Sequence, residues 1–298
     1  MEHQFAEANG IRLHYVTAGS GPLMLFVHGF PEFWYAWRHQ LREFSRDHQA
    51  VALDMRGFNL SDKPAEVKAY RAKQLVQDLR QLVLALGHTS CILVAHDWGG
   101  AAAWNFAIEH PQMVSKLVIV NSPHPVTFAR ALRDNAGQIA ASQYMLLLRD
   151  AKAERVMAEN NYARMLNLFS VIDPATNAPI SVLTAEEQAL YREAWSQPGA
   201  LTGGLNYYRA TPLYPPSPEP DGDPGAAALN LDPAMFTVRV PTLIVWGERD
   251  TALLPVLLDG IEEVVSDLRI RRIPEGSHWV LHEHPEAVNL AIREFVAI

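Results

Sequence analysis

Two hydrophobic rhythms divide this chain. Ile11–Ala18 and Leu23–Val27 are apolar runs separated by the turn Gly19-Ser20-Gly21-Pro22, and they read as strands. Residues 34–44 predict a helix, and residues 49–54 predict another strand. Leu75, Leu79, Leu82 and Leu86 recur at helical spacing and lead into the apolar run Cys91-Ile92-Leu93-Val94-Ala95. Ala101-Ala102-Ala103-Trp104-Asn105-Phe106-Ala107 predicts a helix packed closely on the sheet, and residues 117–120 predict the next strand. Strands that alternate with helices in this way predict an α/β fold with a mostly parallel, doubly wound sheet.

The alternation stops near Pro123. From there to about Met235 the pattern is helical with no clear strand, including one long helical region or two over 143–168. Thr184-Ala185-Glu186-Glu187 is a capping box that opens a helix reaching Trp195. The segment from Pro215 to Gly225, rich in Pro, Gly and Asp, predicts a loop back to the sheet. Strand patterns resume at Thr242-Leu243-Ile244-Val245-Trp246 and Leu268–Ile273, and a last helix is expected over Pro285–Val296. The expected organisation is a core of residues 1–122 and 236–298 interrupted by an all-helical cap of residues 123–235.

Composition narrows the class. Of 298 residues 49% are hydrophobic and 19% charged, which fits a well-buried core rather than a disordered chain. The formal charge of −8 argues against nucleic acid or an anionic membrane surface as partner. The one cysteine, Cys91, lies in an apolar run and reads as a small packed hydrophobe. Met1-Glu2-His3-Gln4-Phe5-Ala6-Glu7 has neither a basic nor an apolar leader segment, and no stretch is long and apolar enough to span a bilayer. A cytoplasmic protein is expected, as a monomer or homodimer.

Candidate chemistry collects at strand ends. The run Cys91 to Gly100 reads as a buried strand, a sharp glycine turn and a helix start, with Asp97 at the tip. Asp250 follows the strand ending in Trp246, and His278 follows the strand Leu268–Ile273. Ligands of open α/β sheets bind beyond the carboxyl ends of the strands. The chain order nucleophile, acid, histidine is that of a strand-end triad. His28-Gly29-Phe30-Pro31-Glu32 is a small-residue turn after a buried strand, and such turns expose backbone N–H groups to a developing oxyanion.

Taken together, these motifs resemble the α/β-hydrolase-fold epoxide hydrolases over nearly the whole chain. The resemblance rests on His28-Gly29-Phe30-Pro31, His96-Asp97-Trp98-Gly99-Gly100, Asn121-Ser122-Pro123-His124-Pro125, Gly247-Glu248-Arg249-Asp250 and Gly276-Ser277-His278-Trp279. Two cap tyrosines mark that family, and Ser142-Gln143-Tyr144 and Leu205-Asn206-Tyr207-Tyr208-Arg209 supply Tyr144 and Tyr208. The resemblance implies that Asp97 attacks an epoxide carbon to form an alkyl ester. Tyr144 and Tyr208, whose ordinary pKa of about 10 keeps them protonated, would bind and protonate the epoxide oxygen. His278, oriented by Asp250, would then activate water against the ester. The N–H groups of Phe30 and Trp98 would hold the resulting oxyanion, with no metal or organic cofactor. The partners implied are a small hydrophobic epoxide and water.

Competing readings remain open from the residues. A haloalkane dehalogenase would share the Asp nucleophile, with Trp98 and a cap residue such as Trp195 as halide donors. A non-catalytic binding protein on the same fold is a third reading, although no triad member is missing. A serine esterase is excluded by the carboxylate at Asp97. His282-Glu283-His284 reads as a surface turn and His96 as structural, while His28 is expected to prop its loop. Tyr207 is the alternative to Tyr208.

Overall fold

The computed structural model describes residues 1–173 and 176–297. Its strands are β1 (Glu2–Ala8), β2 (Ile11–Ala18), β3 (Leu23–Val27), β4 (Gln49–Leu53), β5 (Cys91–His96) and β6 (Val114–Val120). They continue with β7 (Ser170–Ile172), β8 (Pro179–Ser181), β9 (Thr242–Gly247) and β10 (Leu268–Ile273). Eight of these form one sheet in the order β1-β2-β4-β3-β5-β6-β9-β10. From β4 across to β10 all pairs are parallel, whereas β1 and β2 attach antiparallel. Strands β3, β5 and β9 are buried at every position, which is why they appear in the sequence as unbroken apolar runs rather than alternating ones.

Helices cover both faces. On one side the helices Ala72–Ala85 and Asp97–Glu109 bury Leu75, Leu79, Leu82, Trp104 and Phe106. On the other, Arg38–Phe44 and Pro285–Val296 bury Leu41, Phe44, Val288 and Ile292. This doubly wound arrangement agrees with the expected α/β-hydrolase architecture, and it directs the loops after β5, β9 and β10 to one end of the sheet.

Between β6 and β9 the chain leaves the sheet and returns. Helices Pro125–Asp134, Ala136–Ala141, Tyr144–Arg149, Ala153–Asn167, Ala185–Ser196 and Ala200–Ala210 fill this segment. Its two junctions are tied together: His124, the N-cap of the first helix, places Nε2 3.0 Å from the carbonyl of Phe236. Burial lowers the His124 pKa to about 4, although this bond works in the opposite direction, so the ring donates there as neutral imidazole.

Three details depart from the sequence pattern. Strand β1 escapes it because an edge strand exposed along most of its length has no apolar alternation to show. Its signal lies instead in the following turn, where Asn9 and Gly10 both take positive φ, as a tight two-residue hairpin requires. The inserted segment is not all-helical, since β7 and β8 pair antiparallel as a small hairpin. At three residues each, those strands are too short for a periodic pattern. The helical region expected over 143–168 as one helix or two is two, and the departure is that the second is interrupted at Glu159–Tyr162, where Asn160, Asn161 and Tyr162 take positive φ.

Candidate active site

Strand β5 delivers Asp97 in a strained conformation. Its φ is +49°, in the left-handed region that residues bearing a Cβ seldom adopt. Close backbone approach explains the glycines around it. A Cβ on Gly99 would lie 2.2 Å from the carbonyl oxygen of Val27, and one on Gly100 would lie 2.3 Å from Cβ of Ser122. A Cβ on Gly29 would lie 2.2 Å from Oδ1 of Asp97 itself, so the turn after β3 has to be bare at that point. That bareness lets the N–H of Phe30 donate to Asp97 Oδ1 at 2.7 Å.

The other two triad candidates meet at the same place. Asp250 is buried and accepts four hydrogen bonds: from the N–H groups of Ala252 and Leu253, from Asn121 Nδ2, and from Nδ1 of His278 at 2.7 Å. Burial pushes this carboxyl up, but the charge and hydrogen bond of His278, with the donors from Leu253 and Asn121, hold it below the usual carboxylate range. The opposite nitrogen of His278, Nε2, stands 3.8 Å from Asp97 Oδ2. Burial lowers the His278 pKa, yet Asp250, Asp97 and Glu32 outweigh it and raise it to about 9.

Both tyrosines reach this point from the inserted helices. Tyr144 stands at the start of its helix and Tyr208 near the end of Ala200–Ala210, with ring centroids 6.2 Å apart. Their side chains interact with one another, and that of Trp98 interacts with Tyr208. Burial pushes both phenols above their ordinary pKa. Asp97 adds to the shift of each, and the neighbouring phenol of Tyr144 adds to that of Tyr208. The rings of Phe30 and Trp98 meet Tyr208 edge-on at 5.2 and 5.0 Å. Tyr207 donates its hydroxyl to the carbonyl of Arg56 at 2.9 Å, and of the two it is Tyr208 whose ring meets that of Tyr144.

Two cavities meet here. One of about 700 Å³ is lined by Asp97, Trp98, Tyr144 and Tyr208, with Phe128 and Met145 among its apolar walls. The other, of about 1070 Å³, is lined by Asp97, Tyr144, Tyr208 and His278, with Leu148 and Trp279. All seven sequence-predicted site residues therefore lie together. Trp195 does not join them, because its indole N–H donates to the carbonyl of Pro31 at 2.7 Å. Among the described residues no group of three His, Cys, Asp or Glu side chains is arranged to hold a metal ion.

A buried polar cluster that no sequence pattern marks as a unit lies beside these residues. Glu32 is 1% exposed and faces Nδ1 of His96 at 3.0 Å, Nε2 of His282 at 2.6 Å and the hydroxyl of Tyr191 at 3.2 Å. Burial pushes its carboxyl up, but the hydrogen bonds from His282 and His96 dominate and hold it far below the usual range. His96 also places Nε2 3.0 Å from the carbonyl of His278. This corrects the reading of His282-Glu283-His284 as a surface turn: the His282 side chain is 1% exposed. Glu283 accepts from both the N–H and the hydroxyl of Ser277. A buried carboxylate needs donors, and a Glu directly after the His28–Pro31 turn was the available sequence signal. His28 does prop its loop, accepting from the N–H of Met55 and bonding the carbonyl of Gly29.

Comparison with known proteins gives the family. A family model described as the α/β hydrolase fold matches residues 22–285. Epoxide hydrolase 4 of Mus musculus is 36% identical over 292 residues, covering 97% of this chain and 77% of its own. Epoxide hydrolase 3 of Xenopus tropicalis is 37% identical, covering 97% of this chain and 75% of its own. A crystal structure of an epoxide hydrolase variant from Bacillus megaterium, complexed with its naphthyloxy-propane-1,2-diol product, superposes with a TM-score of 0.86 at 39% identity. That match covers 99% of this chain and 100% of the other.

Proposed function

The chain belongs to the epoxide hydrolases of the α/β hydrolase fold, and we propose that it opens an apolar epoxide to a vicinal diol through a covalent ester on Asp97. Oδ1 of Asp97 is held by the N–H of Phe30, which leaves Oδ2 to attack a ring carbon. A carboxylate attacks saturated carbon without first losing a proton. Charge then grows on the epoxide oxygen, and Tyr144 and Tyr208 bind it and deliver the proton. Two phenols with raised pKa values stay protonated until that charge appears.

The second half uses the histidine. While Asp97 is a carboxylate it helps raise the His278 pKa to about 9, after burial has lowered it. Forming the ester removes that negative charge from beside Nε2, so His278 becomes a better base at the moment a base is needed. It takes a proton from water, which attacks the ester carbonyl; the adduct then collapses with cleavage of the bond between that carbon and Oδ2, and the departing diol oxygen takes the proton back from His278. The oxygen in contact with Phe30 N–H becomes the oxyanion, with the N–H of Trp98 as its second donor. Asp250 keeps the imidazole oriented and supports the imidazolium that forms.

The observation that carries this reading is the placement of Tyr144 and Tyr208 against Asp97 in both cavities. A halide leaving group needs no proton donor, and the Trp195 N–H that would serve such a group is committed to Pro31. We take residues 123–235 as a cap over a core of 1–122 and 236–298, a division supported by the His124–Phe236 tie at its base. The substrate is then a small hydrophobic epoxide taken from water by a cytoplasmic monomer or homodimer. Among the described residues no helix is long and apolar enough to cross a membrane.

The test is direct. Purified protein incubated with styrene oxide in oxygen-18 water should yield the diol, and repeated turnover should carry label into Asp97. Release of halide from haloalkanes with epoxides left untouched would overturn the assignment.

A further inference from the structure

Strand β6 runs into a pair of neighbouring polar residues, one bonded to the carboxylate of Asp250 and the other to the backbone carbonyl of Asp97. Asn121 and Ser122 are 0% and 2% exposed. Asn121 donates from Nδ2 to Asp250 Oδ2 at 2.9 Å, and its Oδ1 accepts from the N–H of Gly247 at 2.8 Å. Its own N–H donates to the carbonyl of Val245 in the adjacent strand. The side chain is thus fixed to the end of β9 and to the acid that follows it. Ser122 points the other way: its hydroxyl donates to the backbone carbonyl of Asp97 at 2.7 Å. The indole N–H of Trp104 holds the Ser122 carbonyl at 3.3 Å, and Gly100 packs directly on Cβ of Ser122.

The backbone at these positions is as unusual as that of the nucleophile. Asn121 has a φ of +37°, beside +49° at Asp97. Asparagine tolerates the left-handed region better than other residues with a Cβ. The turn this permits sends two consecutive side chains to different targets, where an extended strand would alternate them across the sheet.

We propose that Asn121 and Ser122 are positioning residues for opposite halves of the reaction. Asn121 acts through Asp250 and thereby sets His278 for hydrolysis of the ester. Ser122 acts on the carbonyl of the strained Asp97 turn and thereby sets the nucleophile for ring opening. Neither touches the reacting atoms. The division follows from the contacts: removing the Asn121 amide leaves every contact of Asp97 intact, and removing the Ser122 hydroxyl leaves every contact of Asp250 intact. This rests on the ester mechanism proposed above.

Single-turnover kinetics separate the two roles. Excess enzyme is mixed with styrene oxide, quenched at intervals and weighed by mass spectrometry, so that ester formation and decay are read individually. Asn121→Gly keeps the left-handed backbone and removes the amide. Ester formation should stay within about twofold of the parent, and decay should slow roughly 10- to 100-fold, the scale of a small misplacement of a catalytic group. Asn121→Ala also removes the amide donor, and it should show the same accumulated ester should the glycine variant fold poorly. Ser122→Ala should slow formation by a similar factor and alter decay far less, with free enzyme predominating. Equal slowing of both steps in both variants is the signature of general loosening and overturns the proposal, as does an unchanged partition. Absence of an ester in the parent enzyme overturns the mechanism and this assignment together.

Discussion

Asp97, Asp250 and His278 are carried by the ends of β5, β9 and β10, whereas Tyr144 and Tyr208 are carried by helices of the segment between β6 and β9. The first set is fixed by sheet register and by short turns whose backbones touch, as at Gly99 and Gly247. The second set is fixed by packing of rings, with Phe30 and Trp98 edge-on to Tyr208. Turn geometry of the first kind tolerates almost no variation, since an added methyl group collides with backbone. Ring packing of the second kind can be retuned by substitution. The sheet-borne set thus suits the steps that every substrate requires, and the helix-borne set suits recognition of one leaving group in an apolar pocket.

The largest expected effect tests the sheet side. His278→Gln should lower turnover by roughly three orders of magnitude or more, the scale seen when a triad member is lost. Ring opening should survive, so the protein should gain the mass of one substrate on the peptide containing Asp97. Full turnover in this variant would remove His278 from the mechanism.

A smaller effect should mark the helix side. Tyr208→Phe removes a proton donor without disturbing the ring packing, and ring opening should slow roughly 100-fold, within the range for general acid catalysis. Tyr144→Phe should slow the same step. Ester formed by either variant should decay at the parent rate, because neither phenol is needed to activate water. If decay slowed instead, the division of labour between sheet and insert would be wrong.

These two sets were not equally legible in the chain. Asp97 and Asp250 follow continuous apolar runs and His278 follows the strand Leu268–Ile273, and their turns carry glycines for steric reasons, so their places at strand ends could be read locally. Tyr144 and Tyr208 lie in helices whose own pattern says nothing of where they point, and resemblance alone singled them out. The Glu32 cluster was hidden for a related reason. Its members Glu32, His96, Tyr191 and His282 come from four separate stretches, and each alone looks like a surface or structural residue. Likewise β1 is exposed, and β7 and β8 are three residues each, so burial wrote no periodicity into them. Most of what remained obscure depends on contacts between distant residues, which a one-dimensional pattern does not record.

The smallest predicted effect probes how the two regions are joined. Thr184 opens the helix Ala185–Ser196 with a complete capping box, its hydroxyl accepting from Glu187 N–H while Glu187 returns a bond to Thr184 N–H. That helix holds the insert against the sheet loops, through Tyr191 to Glu32 and Trp195 to the Pro31 carbonyl. Thr184→Ala should cost about 1 kcal/mol of stability, the usual value of an N-cap. In a chain of this size that corresponds to a fall of about 2 °C in melting temperature. The rates of ester formation and decay per folded molecule should not change, because Tyr144 and Tyr208 stand on other helices. A variant that melts normally but hydrolyses its ester slowly would instead mean that the docking of Tyr191 on Glu32 is felt at His278 through His96. The insert would then govern both halves of the reaction rather than one.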